Sequence, residues 1–304
     1  MTESGISVIM PCYMAGEYLI DAVASVQNQH FRYPYEIIVV DDGSPDEQTR
    51  KSINLIALEK HVTIVLLESN QGAQVARNVG LQAAKFPYIL MMDVDDCLNL
   101  DPSVAEKGTY ADRAIDVLRT RQDVAFVHTI LYMFGDFEGL TIFSYPISES
   151  LILEKHHVPI CIIYRRQDAL EAGLYDENIK KWQDWSFAVG ILNTRFLSGK
   201  ENEIVFFNSP YYLYRIHKKT KRISSLEINE KEIIKKTVLR YPDIFKNYYK
   251  GKSNEEIIET VFLKKPSKLK DLLYIASHDL KRALEIAAQR GIEIQFTKEL
   301  QDIP

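Results

Sequence analysis

In MMDVDD (91–96) an apolar run ends directly in three carboxylates, Asp93, Asp95 and Asp96, with Val94 between the first two. Carboxylates gathered in one loop repel one another. A hard divalent cation such as Mg2+ or Mn2+, taken up together with a diphosphate, offsets that repulsion through oxygen ligands. From this motif alone a solvated acidic turn opening a helix would serve as well. A second acidic pair follows another apolar run in VVDDGSPD (39–46), where Asp41 and Asp42 precede a Gly-Ser-Pro turn. A carboxylate there could accept hydrogen bonds from a nucleobase or ribose; by itself the turn reads equally as an Asx-type helix entry.

Such acids need a frame. Short β-rich runs at 6–10, 36–40, 62–67 and 88–92 alternate with helical-period segments at 15–29 (Leu19, Ala22, Val23, Val26) and 73–84 (Val75, Val79, Ala83). This is the pattern of an α/β domain with a largely parallel sheet and crossover helices. Ligands in such sheets bind beyond the carboxyl ends of the strands. The residues found there are Pro11-Cys12-Tyr13, Asp41 to Ser44 and Asp93 to Asp96. From 120 to 225 further strand-like runs (124–132, 141–145, 160–165, 204–208) and a helix-like stretch at 184–197 continue the same domain. From 226 the composition turns to charged segments of helical period, punctuated by Pro242 and Pro266, with Gly291 as a helix stop. The expected division is a domain over 1–225, nucleotide side 1–100 and acceptor side 101–225, with a helical C-terminal appendage over 226–304.

Composition narrows the class. At 304 residues, 46% hydrophobic and 26% charged, the chain has the makeup of a soluble globular protein. The longest apolar runs fall far short of the ~18–20 residues of a spanning helix. No basic leader with an apolar stretch opens the chain, so the expected location is cytoplasmic, extending to the inner face of the cell membrane. Three cysteines without a CxxC spacing argue against a disulfide framework or a structural zinc site. A net charge of −5 gives no general reason to expect nucleic acid. The charge is uneven: 15 Lys and Arg against 13 Asp and Glu from 226 onward, and 22 against 29 before it.

Taken together these segments resemble glycosyltransferase family 2, whose nucleotide-binding half has the GT-A fold. SVIMPCYMAGEYLIDAVASVQNQ resembles the family's opening strand, Pro-x-Tyr loop and first helix. NQGAQVARNVGLQAA resembles its Gly-x-x-x-Ala-Arg-Asn-x-Gly helix, WQDW (182–185) its acidic catalytic motif, and YRIHKKTKRIS (214–224) its Tyr-Arg-x-His segment. The resemblance covers roughly residues 5–225. It implies a nucleobase pocket at Pro11 and Tyr13, Asp42 accepting the base ring N–H, and Arg77 near base or ribose. Asp93 would lie near the ribose, with Val94 beside it, and Asp95 on the metal; Asp96 is a competing ligand that sequence does not separate from Asp95. His217 would join the metal or diphosphate. Asp184 would be the general base of an inverting transfer, taking the proton of the acceptor hydroxyl as it attacks in line. Gln183 stands where the family commonly has an acid, and Asp184 could alternatively cap the helix that follows it.

The expected function is therefore transfer of a sugar from a UDP-sugar, with Mg2+ or Mn2+, to a saccharide, lipid-linked or small-molecule acceptor. A nucleotidyltransferase would want a Gly-rich phosphate loop in place of PCYMAGEY. A non-catalytic nucleotide-sugar-binding subunit is the other alternative. Trp182 and Trp185 would form a sugar platform or part of the core, and His156-His157 is read as a loop feature. Residues 246–270, with seven lysines against three glutamates, suit an anionic membrane surface or acceptor, although such runs are commonly solvated faces. The 271–288 stretch would pack on the catalytic part or on a second copy of the chain.

Overall fold

A computed structural model describes residues 4–142, 145–154, 158–217, 228–264 and 267–293. His156-His157, Pro266 and the 218–224 part of the Tyr-Arg-x-His segment lie outside these residues. One nine-stranded sheet organises the molecule. Its first half consists of β1 (Ile6–Cys12), β2 (Tyr35–Asp41), β3 (Val62–Leu66) and β4 (Tyr88–Met91), all parallel, in the order β3-β2-β1-β4. Strands β1 and β4 are buried along their whole length, as continuous apolar runs covered on both faces must be. Strand β3 lies at the sheet edge and is only half-buried.

The crossover helices α1 (Tyr18–Gln27), α2 (Glu47–Ile56) and α3 (Ala73–Ala83) cover this half. Helix α1 buries the stripe Leu19, Ala22, Val23, Val26 that the sequence predicts. Helix α3 lies tight against β1: a Cβ on Gly80 would fall 2.2 Å from Ile9 Cγ2, so only glycine permits this approach. Because β1 pairs with β2 on one side and β4 on the other, the chain order reverses beside β1. In open α/β sheets such a reversal is where the ligand cleft forms, here beyond the carboxyl ends of β1 and β4.

The second half of the sheet is mixed. Strands β5 (Cys97–Leu98), β6 (Val124–Gly135), β7 (Gly139–Leu140), β8 (Ile163–Arg165) and β9 (Glu203–Ile216) extend it as β4-β8-β6-β9-β5, with β7 on β6. Strand β8 runs antiparallel to β4, and β6 parallel to β9. Two expected strands shrink. Of the expected run at 141–145, residues 143–144 lie outside the described residues, and the strand found there is the two-residue β7 just ahead of it. The run at 160–165 begins only at Ile163, since Cys161 sits in a turn whose carbonyl accepts from the Tyr110 hydroxyl at 2.6 Å. Helices α4 (Tyr110–Thr120), α5 (Glu149–Glu154), α6 (Arg166–Glu171) and α7 (Gln183–Leu197) fill the intervals.

Among the described residues five C-terminal helices follow: α8 (Glu230–Arg240), α9 (Pro242–Tyr248), α10 (Asn254–Leu263), α11 (Lys268–His278) and α12 (Leu280–Gln289). Pro242 opens α9 at its first turn, and Gly291, at φ 63°, follows the end of α12. The five divide by packing. Helices α8 to α10 send Ile234, Val238, Phe245, Ile257 and Val261 into the main core. Helices α11 and α12 instead form a smaller core of Leu272, Ile275, Ala283, Ile286 and Ala287 against Ile130, Leu140 and Tyr145. Cys12 and Cys161 are buried, Cys97 is partly so, and all three are free thiols. No helix among the described residues is long and apolar enough to cross a membrane.

Candidate active site

The walls of the cleft are fixed from below. Asp41, at the end of β2, accepts from the Ser44 hydroxyl at 2.5 Å, and Ser44 Oγ in turn accepts from the Met14 amide at 2.9 Å. Gly16 N–H donates to Thr49 Oγ1 at 2.8 Å. The 12–17 loop is thereby tied to the turn after β2, leaving Tyr13, Met14 and Tyr18 exposed at its rim while Pro11 stays buried in β1. Asp42 is buried, and its two oxygens accept the backbone N–H groups of Gln71 and Gly72, both at 2.8 Å. It therefore sets the loop that opens α3; a base would have to use the remaining lone pairs.

Arg77, the residue expected near the base or ribose, is buried beneath the cleft. Its guanidinium donates to Asp93 Oδ1 at 3.0 Å and to Gln183 Oε1, and lies over the Tyr175 ring at 5.3 Å. Gln183, in the place of an acid, is thus a neutral acceptor for this cation.

Asp93, Asp95 and Asp96 can bring one ligand oxygen each within 4.8 Å of one another. Their surroundings differ. Asp96 is buried and committed: Tyr212 Oη donates to one oxygen at 2.8 Å and the Arg215 N–H to the other at 2.8 Å. Burial, then the charges of Asp95 and Asp93, push its carboxyl well above the usual range. Asp95 is partly open and sits 3.1 Å from His217 Nε2. Burial first, then the Asp93 charge, raises its carboxyl too, and His217 works against that shift. Arg215 closes the loop from above: its Nε donates to the Asp95 carbonyl at 2.7 Å, and its guanidinium lies over Tyr18 and Phe134 at 4.6 and 4.4 Å. Val94 turns its side chain into the core.

Asp184 stands in the first turn of α7, but it is not the cap; Trp182 holds that position, in left-handed backbone at φ 56°. For a bulky side chain this conformation is strained, and such strain collects at functional sites. Trp185 is core, its indole N–H donating to the Ile152 carbonyl at 2.9 Å. Tyr175 reaches Asp184 with its hydroxyl at 3.5 Å and stacks on Phe187 with ring centroids 4.0 Å apart. Burial pushes the Asp184 carboxyl up to about 6; the Arg77 cation opposes this and the Asp93 charge adds to it. Asp93 and Asp184 thus share the cation of Arg77, while Asp42 positions the helix that carries it.

A family model described as glycosyl transferase family 2 matches residues 7–169, just over half of the chain. The chain belongs to glycosyltransferase family 2. An uncharacterized glycosyltransferase of Haemophilus influenzae is 40% identical over 96 residues, 32% of this chain and 38% of that protein. The poly(ribitol-phosphate) beta-N-acetylglucosaminyltransferase TarP of Staphylococcus aureus is 39% identical over 97 residues, 31% of this chain and 29% of that protein. These matches span about a third of each relative's length. Among solved structures, S. aureus TarS 1–349 in complex with UDP-GlcNAc superposes with a TM-score of 0.64 at 19% identity, covering 96% of this chain and 94% of that one. At that identity the likeness speaks to the fold, and the fold is GT-A.

Within this family 2 chain the residues that sequence reading did not single out are Tyr175, Tyr212 and Tyr18. Tyr212 acts on an acid 116 residues earlier and Tyr18 lies under Arg215, contacts that only the folded chain reveals, whereas Tyr175 stands 9 residues before the Asp184 it touches.

Proposed function

We propose that this chain is an inverting glycosyltransferase that moves a sugar from a nucleoside-diphosphate sugar, a UDP-sugar first, to a hydroxyl of a surface-polymer or lipid-linked saccharide. What supports the reading is one observation: the buried Arg77 guanidinium pairs with the donor-side acid Asp93, and the charge of the base candidate Asp184 acts on that same cation. The UDP assignment draws on the TarS complex with UDP-GlcNAc, and the polymer acceptor on the printed activity of TarP.

The donor set fits a hard divalent ion: carboxylates that repel one another, with an imidazole beside the exposed one. Asp95 and His217 would hold Mg2+ or Mn2+, since Asp96 has both oxygens engaged elsewhere. When bound, the ion would neutralise charge on the departing diphosphate. Tyr13 offers an exposed ring to the base, Asp42 and Asp93 accept from the nucleoside, and Asp184 takes the acceptor's proton.

Asp184→Asn is expected to leave nucleotide affinity near normal while transfer falls by ~10²-fold or more; unchanged turnover would refute the assignment. Chelation is expected to abolish transfer and Mn2+ to restore it, which full activity in EDTA would contradict. Slow release of free sugar without acceptor separates an enzyme from a non-catalytic binding subunit. A thermal-shift panel of nucleotide sugars with and without Mn2+ names the donor, because a ligand of the folded state raises its melting temperature.

A further inference from the structure

Far along the chain from the acids, helix α11 has two faces of different character. One buries Asp271, Leu272 and Ile275. The other turns Leu269 and Leu273, neighbours at i and i+4, to solvent at 67% and 62% exposure. Leu263 before the helix and Leu280 after it are 72% and 55% exposed. Single exposed leucines are ordinary on a protein surface, whereas Leu269 and Leu273 stand side by side on one helical face, with a further exposed leucine before and after the helix, and such a pair asks for a partner.

Lysines alternate with these leucines. Lys264, Lys268, Lys270 and Lys281 are all exposed. Lys264 pairs with Glu154 at 3.0 Å; among the described residues no carboxylate lies within ion-pair distance of the other three. The acid of α11, Asp271, is buried. A cationic, leucine-bearing face thus sits on a chain whose net charge is −5.

We propose that this face docks on an anionic lipid bilayer, the leucines entering the boundary between headgroups and acyl chains and the lysines meeting lipid phosphates. Charge complementarity selects this occupant. A two-fold contact with a second copy through the same patch would set lysines against lysines. The attachment is also firm: Gln289 Oε1 accepts from Leu140 N–H at 2.8 Å and Arg290 donates to the Leu140 carbonyl at 3.1 Å. Strand β7, which contains Leu140, pairs with β6, and β6 runs beside β9 up to Ile216, the residue before His217. The docked face and the cleft therefore belong to one connected sheet.

The test is co-sedimentation of the full chain with vesicles of phosphatidylcholine alone or with added phosphatidylglycerol. Binding is expected only to the anionic vesicles and is expected to weaken as salt rises. Lys268→Gln with Lys270→Gln should weaken it about 30-fold, at roughly one lysine's share of surface attraction each. Leu269→Ser with Leu273→Ser should weaken it at least about tenfold. Both double variants should keep the parent melting temperature and its response to nucleotide sugar. Equal binding to the two vesicle types, no binding to either, or binding indifferent to both double variants would overturn the proposal. So would a dimer by light scattering that the leucine variant dissociates.

Discussion

Asp184 carries a carboxyl that burial holds near a pKa of about 6, against 3.8 for the free side chain. A base must be ionised to work, so transfer measured as kcat/KM should fall as pH drops below about 6, and Asp184→Asn should lack this limb. Linkage gives a second expectation. Because the folded pKa is raised, protonation favours the fold below about pH 4, and this contribution is lost as pH rises through about 6. The melting temperature of Asp184→Asn should therefore match the parent's near pH 4 and exceed it above pH 6. Arg77→Met should cost roughly 2–3 kcal/mol in denaturant titration, less than the ~3–5 kcal/mol of a fully buried pair because Asp93 is partly open. The acids themselves were legible in the sequence as acids at strand ends. That both oxygens of Asp96 are occupied was not, since its donors come from β9. The seat of Arg77 was not legible for a related reason: nothing local shows that Gln183, 106 residues on, will accept from its guanidinium.

The elements that read most clearly were β1, β2 and β4, because burial on both faces leaves unbroken apolar runs with turn residues after them. The two-residue strands β5 and β7 carry no period to detect. Helix α4 was missed because it spends a buried position on Asp112, whose carboxylate accepts the backbone N–H groups of Arg32 and Tyr33 at 3.1 and 3.3 Å. Its stripe is therefore not purely apolar. The contact between α3 and β1 makes a measurable pair. Gly80→Ala should destabilise by about 1–3 kcal/mol through its clash with Ile9. Combining it with Ile9→Ala should cost less than the sum of the two single changes by at least ~1 kcal/mol, because the new methyl fills the vacated space. Strict additivity in urea titration would show that α3 does not sit as described.

At the level of the molecule, the change in composition near 226 was visible, but it does not coincide with the edge of the core. Ile234, Phe245, Ile257 and Val261 are completely buried in the main cluster. A chain ending at 225 is thus expected to be insoluble. One ending at 263 should fold, melt below the parent because Ile130, Leu140 and Tyr145 lose their cover, and still respond to nucleotide sugar in thermal shift. Sequence could not divide α8 to α10 from α11 and α12, since both groups share one amphipathic period and differ only in which surface they meet.

Strand β9 sets a constraint on how the protein is made. Until Tyr212 and Arg215 have left the ribosome, the carboxylate of Asp96 has neither of its donors, and an acid buried without them is costly to dehydrate. The nascent N-terminal half, strands and crossover helices included, must therefore keep its acidic loop hydrated and wait. Synthesis of β9, rather than collapse of the first four strands, is thus what completes the setting of Asp96.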